Sequence, residues 1–266
     1  MSLKTSPAAL HQVLLAGRRL LHYMAWSALA ATAVQAGPLS FDENRYFLSE
    51  GAARRTMLIH NGGDSQALVQ ISVDRPGTTA QSDADLPLAV SRPLLPIPAN
   101  ETAAVEVFYQ GLGLPGDRES FFLLSVLDVP PKAPDTAQGE TGMHIAARHR
   151  FKLFYRPRLE VPPEAVRDAL LWQLPADASP GMVEIHNPSP YYATLVEIAA
   201  LDASGQPCGQ NISHLMVEPF GTLRQSIQGC TATTASMSYR YVSDSGREIL
   251  YEVSLHAGQP GLIRKV

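Results

Sequence analysis

From residue 40 onward, turn-forming clusters punctuate the chain at short intervals, and the residues between them alternate in polarity. The clusters are Asn61-Gly-Gly-Asp64, Arg75-Pro-Gly77, Pro96-Ile-Pro-Ala-Asn100 and Gly113-Leu-Pro-Gly-Asp117. Glycine reaches positive φ, proline fixes φ, and asparagine or aspartate bonds to its own backbone, so each cluster reverses the chain. Between them Met57/Ile59, Val69/Ile71/Val73 and Val105/Val107/Tyr109 recur at every second position, the period of a strand with one buried face. Phe121–Leu127 is apolar on both parities, as for a strand covered on both sides. No long helical period interrupts the series. The expected fold class is therefore all-β, an antiparallel sandwich.

A chain of 266 residues has room for two such sandwiches. The pattern restarts after Pro157. Glu160-Val-Pro-Pro163 reads as a stiff connector, and Pro163–Leu170 as about two helical turns opened by proline. Strands are expected at Met182–Ile185, Ala193–Ile198, His214–Val217 and Ser238–Val242, with an Asp244-Ser-Gly246 turn leading into Glu248–Leu255. The boundary drawn is 37–157 for the first domain and 158–266 for the second. No internal sequence repeat is visible.

The N-terminus has a different character. Lys4, Arg18 and Arg19 precede an apolar run, Leu20–Val34, and Val34-Gln-Ala36 fits the small-residue pattern before a signal-peptidase cut. Residues 1–36 are read as a removed signal peptide, with the mature chain starting near Gly37. A membrane anchor is disfavoured because the run is short and ends in small residues without a basic flank. Export makes Cys208 and Cys230 legible as a disulfide. Closing a loop between cysteines 22 residues apart stabilises by about 3 kcal/mol in the chain-entropy account.

Several functions are excluded by what the residues fail to form. Hydrophobic content of 45% and charged content of 17% are those of a globular chain. A net charge of −4 gives no field for nucleic acid. The eight histidines show no ligand spacing: His144 and His149 have opposite parity, and His60, His186 and His214 fall in separate segments. Ser120 lacks the Gly-x-Ser-x-Gly turn of a hydrolase, and neither a phosphate loop nor a dinucleotide fingerprint is present. No enzyme activity, metal, cofactor or small-molecule substrate is expected.

One stretch carries more than fold. Met143-His-Ile-Ala-Ala-Arg-His-Arg-Phe-Lys-Leu-Phe-Tyr-Arg-Pro157 starts as an alternating strand, with Met143, Ile145 and Ala147 on one face, and ends in a basic, aromatic segment. Asp117–Pro131, Asn187-Pro-Ser-Pro-Tyr-Tyr-Ala-Thr-Leu195 and Met216-Val-Glu-Pro-Phe-Gly221 add three further motifs in order along the chain. Together they resemble the periplasmic pilus chaperones of the PapD-like family. The resemblance implies two immunoglobulin-like β-sandwich domains in an L-shaped arrangement, located in the periplasm. Its partners would be pilin or fimbrial subunits and an outer-membrane usher. Such a chaperone lends a strand to a subunit whose own sheet is incomplete.

On that resemblance Met143, Ile145 and Ala147 form the apolar donor face. Arg45, in Ser40–Leu48, and Lys152 bind the subunit's C-terminal carboxylate. Glu119, Arg156 and Asp244 make ion pairs between the domains. The connector Lys132–Gly142 leans toward the branch of the family with a short loop before the donor strand. Self-association through the free edge of that strand stays open. The rival reading is a secreted two-domain adhesion or structural module that lends no strand and needs no carboxylate clamp. An exported hydrolase on a β-sandwich is the third.

Overall fold

The computed structural model describes residues 38–52, 54–77, 86–129, 146–175, 181–230, 234–256 and 259–266. The expected signal peptide, Met143, Ile145 and the 132–142 connector lie outside the described residues.

Nine strands described in the first half build one sandwich: β1 (Leu39–Phe41), β2 (Arg45–Ser49), β3 (Arg54–Asn61), β4 (Ala67–Asp74), β5 (Leu88–Val90), β6 (Leu94–Ile97), β7 (Thr102–Tyr109), β8 (Ser120–Val129) and β9 (Arg148–Arg156). One sheet runs β1-β3-β7-β5 and the other β2-β9-β8-β4-β6. The period-two residues face inward: Met57, Ile59, Val69, Ile71, Val105 and Val107 are all buried between the sheets. Each such side chain contributes about 1.5–3 kcal/mol when fully buried. β8 lies between β9 and β4, and its outward parity is half-buried rather than exposed. Phe122, Leu124 and Val126 enter the core, while Phe121 turns outward against Tyr192, with ring centroids 5.6 Å apart.

Two features depart from the expectation of regular antiparallel strands. β2 pairs with β9 in parallel, from Arg45↔Lys152 to Ser49↔Arg156, although β1 just before it pairs antiparallel with β3. The chain crosses from one sheet to the other at Asp42, whose Oδ1 accepts from the Tyr46 hydroxyl at 2.7 Å and from the Leu58 amide at 3.1 Å. Pro96, read as part of a turn, sits inside β6; that strand is at the sheet edge, where a missing N–H is tolerated. Of the expected donor strand, the described part is a strand over Arg148–Arg156. Its partner β8 ends at Val129, and the ladder closes with Leu127↔Arg148 and the Asp128 amide donating to the Ala147 carbonyl at 2.8 Å.

The second sandwich comprises β10 (Leu171–Gln173), β11 (Met182–His186), β12 (Ala193–Leu201), β13 (Ile212–Val217), β14 (Thr222–Ser226), β15 (Ser236–Val242), β16 (Glu248–His256) and β17 (Gln259–Lys265). Its sheets run β10-β11-β14 and β13-β12-β15-β16-β17. A 3-10 turn, Pro163–Ala165, leads into a single helical turn, Val166–Ala169, which plugs Val166 into the core. Trp172, Tyr239 and Tyr251 stack at that core's centre, with centroids 4.9 and 5.7 Å apart. Cys208 and Cys230 are joined by a disulfide.

A repeat invisible in the sequence emerges here. Asn61 and Asn187 are both fully buried where a strand gives way to a loop, and each locks its turn with one side-chain amide. Asn61 Nδ2 donates to the carbonyls of Ser65, Ile97 and Pro98, while its Oδ1 accepts from the Gly63 amide. Asn187 Nδ2 donates to the carbonyls of Tyr191, Val217 and Glu218, while its Oδ1 accepts from Ser189. An amide with every donor and acceptor used removes the cost of burying it.

Candidate functional site

The parallel register of β2 on β9 sets Arg45 directly beside Lys152. Both side chains emerge on the face of β9 that does not enter the first core, since Leu153 and Tyr155 occupy the other parity. Lys152 Nζ reaches the second sandwich: it lies 2.7 Å from His214 Nε2 on β13 and donates to Thr194 Oγ1 on β12 at 3.3 Å. Thr194 is only 4% exposed. Burial and the neighbouring Arg45 charge pull the Lys152 ammonium down to about 8. Burial also lowers Arg45, against the opposing charges of Asp244 and Tyr241. The Arg45 Nε is buried without a hydrogen-bond partner. Among the described residues no carboxylate lies in ion-pair contact with either cation. An open hollow of about 820 Å³ adjoins Arg45, lined by Phe41, Phe47, Phe151, Asp244 and Ser245 among others.

The neighbouring arginines are engaged elsewhere. Arg54 pairs with Glu106 at 3.1 Å and Arg55 with Glu43 at 2.5 Å. Arg45 is thus the arginine of this segment that faces Lys152.

Beyond Lys152 the edge of β9 has no partner among the described strands. β2 covers β9 from Lys152 to Arg156, and no described strand pairs with Arg148–Phe151 on that side. The Asp128–Ala147 hydrogen bond fixes which backbone groups point there. Residues 147, 149 and 151 direct N–H and C=O toward β8, so those of Arg148 and Arg150 point to the open edge. Ala147, half-buried, shares the inward parity with Phe151 and Leu153.

Glu119, Arg156 and Asp244 meet where the two sandwiches join. Arg156 contacts Glu119 Oε1 at 2.6–2.7 Å and Asp244 Oδ2 at 2.6 Å. Glu119 is 3% exposed, and its second oxygen accepts from the Tyr192 amide at 2.9 Å. Burial lifts the Glu119 carboxyl above its ordinary range, against the pull of Arg156. Burial opposes the charge on Arg156 too, but its bonds to Asp244 and Glu119 prevail and hold the guanidinium protonated. The guanidinium carbon lies 4.5 Å from the Phe47 ring centroid and 4.9 Å from that of Tyr191. Gly246, with φ of +78°, lets the Asp244 hairpin press on Asn44; a Cβ there would lie 2.8 Å from the Asn44 amide nitrogen.

The structure therefore brings Arg45 next to Lys152 and gathers Glu119, Arg156 and Asp244. Of the expected donor face it describes Ala147. Sequence reasoning missed His214 and Thr194. Both come from the second sandwich, and neither lies in a segment whose spacing relates it to Lys152.

The residues that hold this junction fall within two family models. Pili and flagellar-assembly chaperone, PapD N-terminal domain, matches residues 39–159, and pili assembly chaperone PapD, C-terminal domain, matches residues 165–253. The chain belongs to the PapD family of pilus-assembly chaperones. This is a family of chaperones, not of enzymes. Chaperone protein FimB/FhaD of Bordetella pertussis is 29% identical over 79% of this chain and 85% of its own length. The probable fimbrial chaperone YadV of Escherichia coli is 30% identical over 72% of this chain and 79% of its own. The crystal structure of YadV superposes with a TM-score of 0.68, covering 82% of this chain and all of the other. The chaperone SafB, solved in complex with the SafA pilin of Salmonella enterica, shares the fold with a TM-score of 0.64, at 22% identity over 88% of this chain and 99% of the other.

Proposed function

We propose that this chain works in the periplasm, capturing pilin or fimbrial subunits by strand donation and delivering them to an outer-membrane usher. The observation that carries this reading is the junction of a strand edge and a pair of cations that, among the described residues, have no strand partner and no carboxylate in ion-pair contact, respectively. A subunit strand laid along Arg148–Phe151 would run in line with β2, and its C-terminus would meet Arg45 and Lys152. Continuing the line of β2 makes that strand parallel to β9. The outward N–H and C=O groups of Arg148 and Arg150 would bond its backbone, as in other strand additions. Met143, Ile145 and Ala147, on one parity, would supply apolar side chains to the subunit's open core.

Arg45 and Lys152 would fix the register by holding the terminal carboxylate, since a one-residue slip turns every donor side chain away. Glu119, Arg156 and Asp244 would keep the two sandwiches at the angle that shapes this cleft. The complex of SafB with a pilin supports subunits as the partner class.

Lys152→Ala should reduce co-purification of a fimbrial subunit that the wild-type chain solubilises by ~10- to 100-fold, the worth of one charge-assisted bond. Circular dichroism should show the variant folded. Undiminished capture by a folded Lys152→Ala chain would sink the clamp and favour a two-domain module that lends no strand.

A further inference from the structure

We propose that His214 is a third member of the carboxylate clamp and makes capture of a subunit's C-terminus proton-linked. This rests on the clamp reading of Arg45 and Lys152. The contact is a built one: Lys152 Nζ lies 2.7 Å from His214 Nε2 and is held from the other side by the hydroxyl of Thr194. Lysine has donors only, so Nε2 must accept, and the imidazole is then neutral with its proton on Nδ1. The imidazole parks the ammonium within the cleft while no subunit is bound.

The charges around His214 set the direction of the effect. Lys152 on β9 and Arg45 on β2 face it, and together with burial they hold the imidazole below its ordinary range. On its own sheet the row runs from His214 through Val196 to Arg240, whose charge is engaged by Glu197 at 2.7 Å and Glu248 at 3.9 Å. Thr194 brings no charge. An arriving carboxylate turns the ammonium toward itself, frees Nε2, and offsets one of the two positive charges. The imidazole can then take a proton from solvent on Nε2, keep it, and hydrogen-bond through it to the same carboxylate. The bound state holds more protons than the free state, so affinity rises as pH falls through the imidazole range. A separate loss occurs at the alkaline end, where Lys152 itself deprotonates in the free chain at about 8.

The probe is a short alternating valine–threonine peptide, made with a C-terminal carboxylate and, as control, with a C-terminal amide. Binding would be followed by calorimetry, together with the imidazole proton resonance of His214. For the wild-type chain the acid should bind about tenfold more tightly near pH 5.5 than near pH 7.5, with no such rise for the amide. The His214 resonance should titrate at higher pH with peptide bound than without. His214→Gln should still prefer acid to amide, yet vary less than about twofold across that window. An undiminished rise in His214→Gln would overturn the role given to this histidine and leave the clamp intact. Equal binding of acid and amide by the wild-type chain would remove the clamp and this proposal with it.

Discussion

At the scale of residues, the site is held under electrostatic tension. Lys152 sits in a half-buried cleft beside Arg45, and its ammonium is depressed to about 8 from an ordinary 10.5. A base whose folded pKa is depressed favours the folded state above its unfolded pKa, and that advantage is lost as pH falls through the folded value. At neutral pH the charged lysine therefore costs stability. Lys152→Met should stabilise the free chain by about 1 kcal/mol at pH 7 once screening is allowed for, a rise in Tm of ~2–4 °C. The gain should shrink as pH climbs from 8 toward 10.5. Thermal melts at several pH values test this; an unchanged or lowered melting point at pH 7 contradicts it. Lys152 could be singled out from the motif around it, and Arg45 from the short segment that carries it. His214 could not. Its relation to Lys152 exists only because β13 of one sandwich faces β9 of the other.

At the scale of elements, β9 is a strand with one side paired and the other, among the described residues, paired only from Lys152 onward. Arg150 points its N–H to the open edge, whereas His149 points its own to β8, opposite Val126. Proline at the two positions should therefore have opposite consequences. Arg150→Pro should leave the chaperone folded, because proline is tolerated where no ladder bond is lost, and yet reduce subunit capture at least about tenfold. His149→Pro breaks a ladder bond within the first sandwich and leaves its β8 acceptor unpaired, which should destabilise the chain by about 1–3 kcal/mol. Melting temperatures and co-purification yields separate the two; equal melting temperatures for the pair would mean the edge is wrongly assigned.

Strands with strict alternation and a buried face, such as β3, β4 and β7, were legible in the sequence. β14 (Thr-Leu-Arg-Gln-Ser) and β17, with Pro260, Gly261 and an exposed Leu262, were not. Their pairing comes from neighbours across the sheet, and their own side chains bury little. The parallel pairing of β2 was equally hidden. It depends on Asp42 pinning the crossover, a long-range contact that carries no periodicity.

At the scale of the whole molecule, one guanidinium bonds to both sandwiches. Arg156 leaves the end of β9 and bonds Glu119 at the start of the first sandwich's central strand and Asp244 in a hairpin of the second. Glu119 is nearly fully buried, so Arg156→Ala strands a carboxyl without its cation. Breaking such a pair costs about 3–5 kcal/mol. Asp244 is far more exposed, and Asp244→Ala should cost less than about 1 kcal/mol. Denaturant melts of the two variants should show that ranking; a larger loss for Asp244→Ala would mean the junction is held elsewhere. The existence of two sandwiches could be read from the restart of the strand pattern after Pro157. The shared asparagine lock of Asn61 and Asn187 could not, because the turns around them differ in every other residue that matters.

Amide hydrogen exchange at Arg148 and Arg150, with and without a co-purified fimbrial subunit, tests strand capture at this edge most directly. Both amides should exchange readily in the free chain and become protected on capture, while the His149 amide, already bonded to β8, changes little. If Arg148 and Arg150 exchange equally fast in the complex, the subunit is held somewhere else.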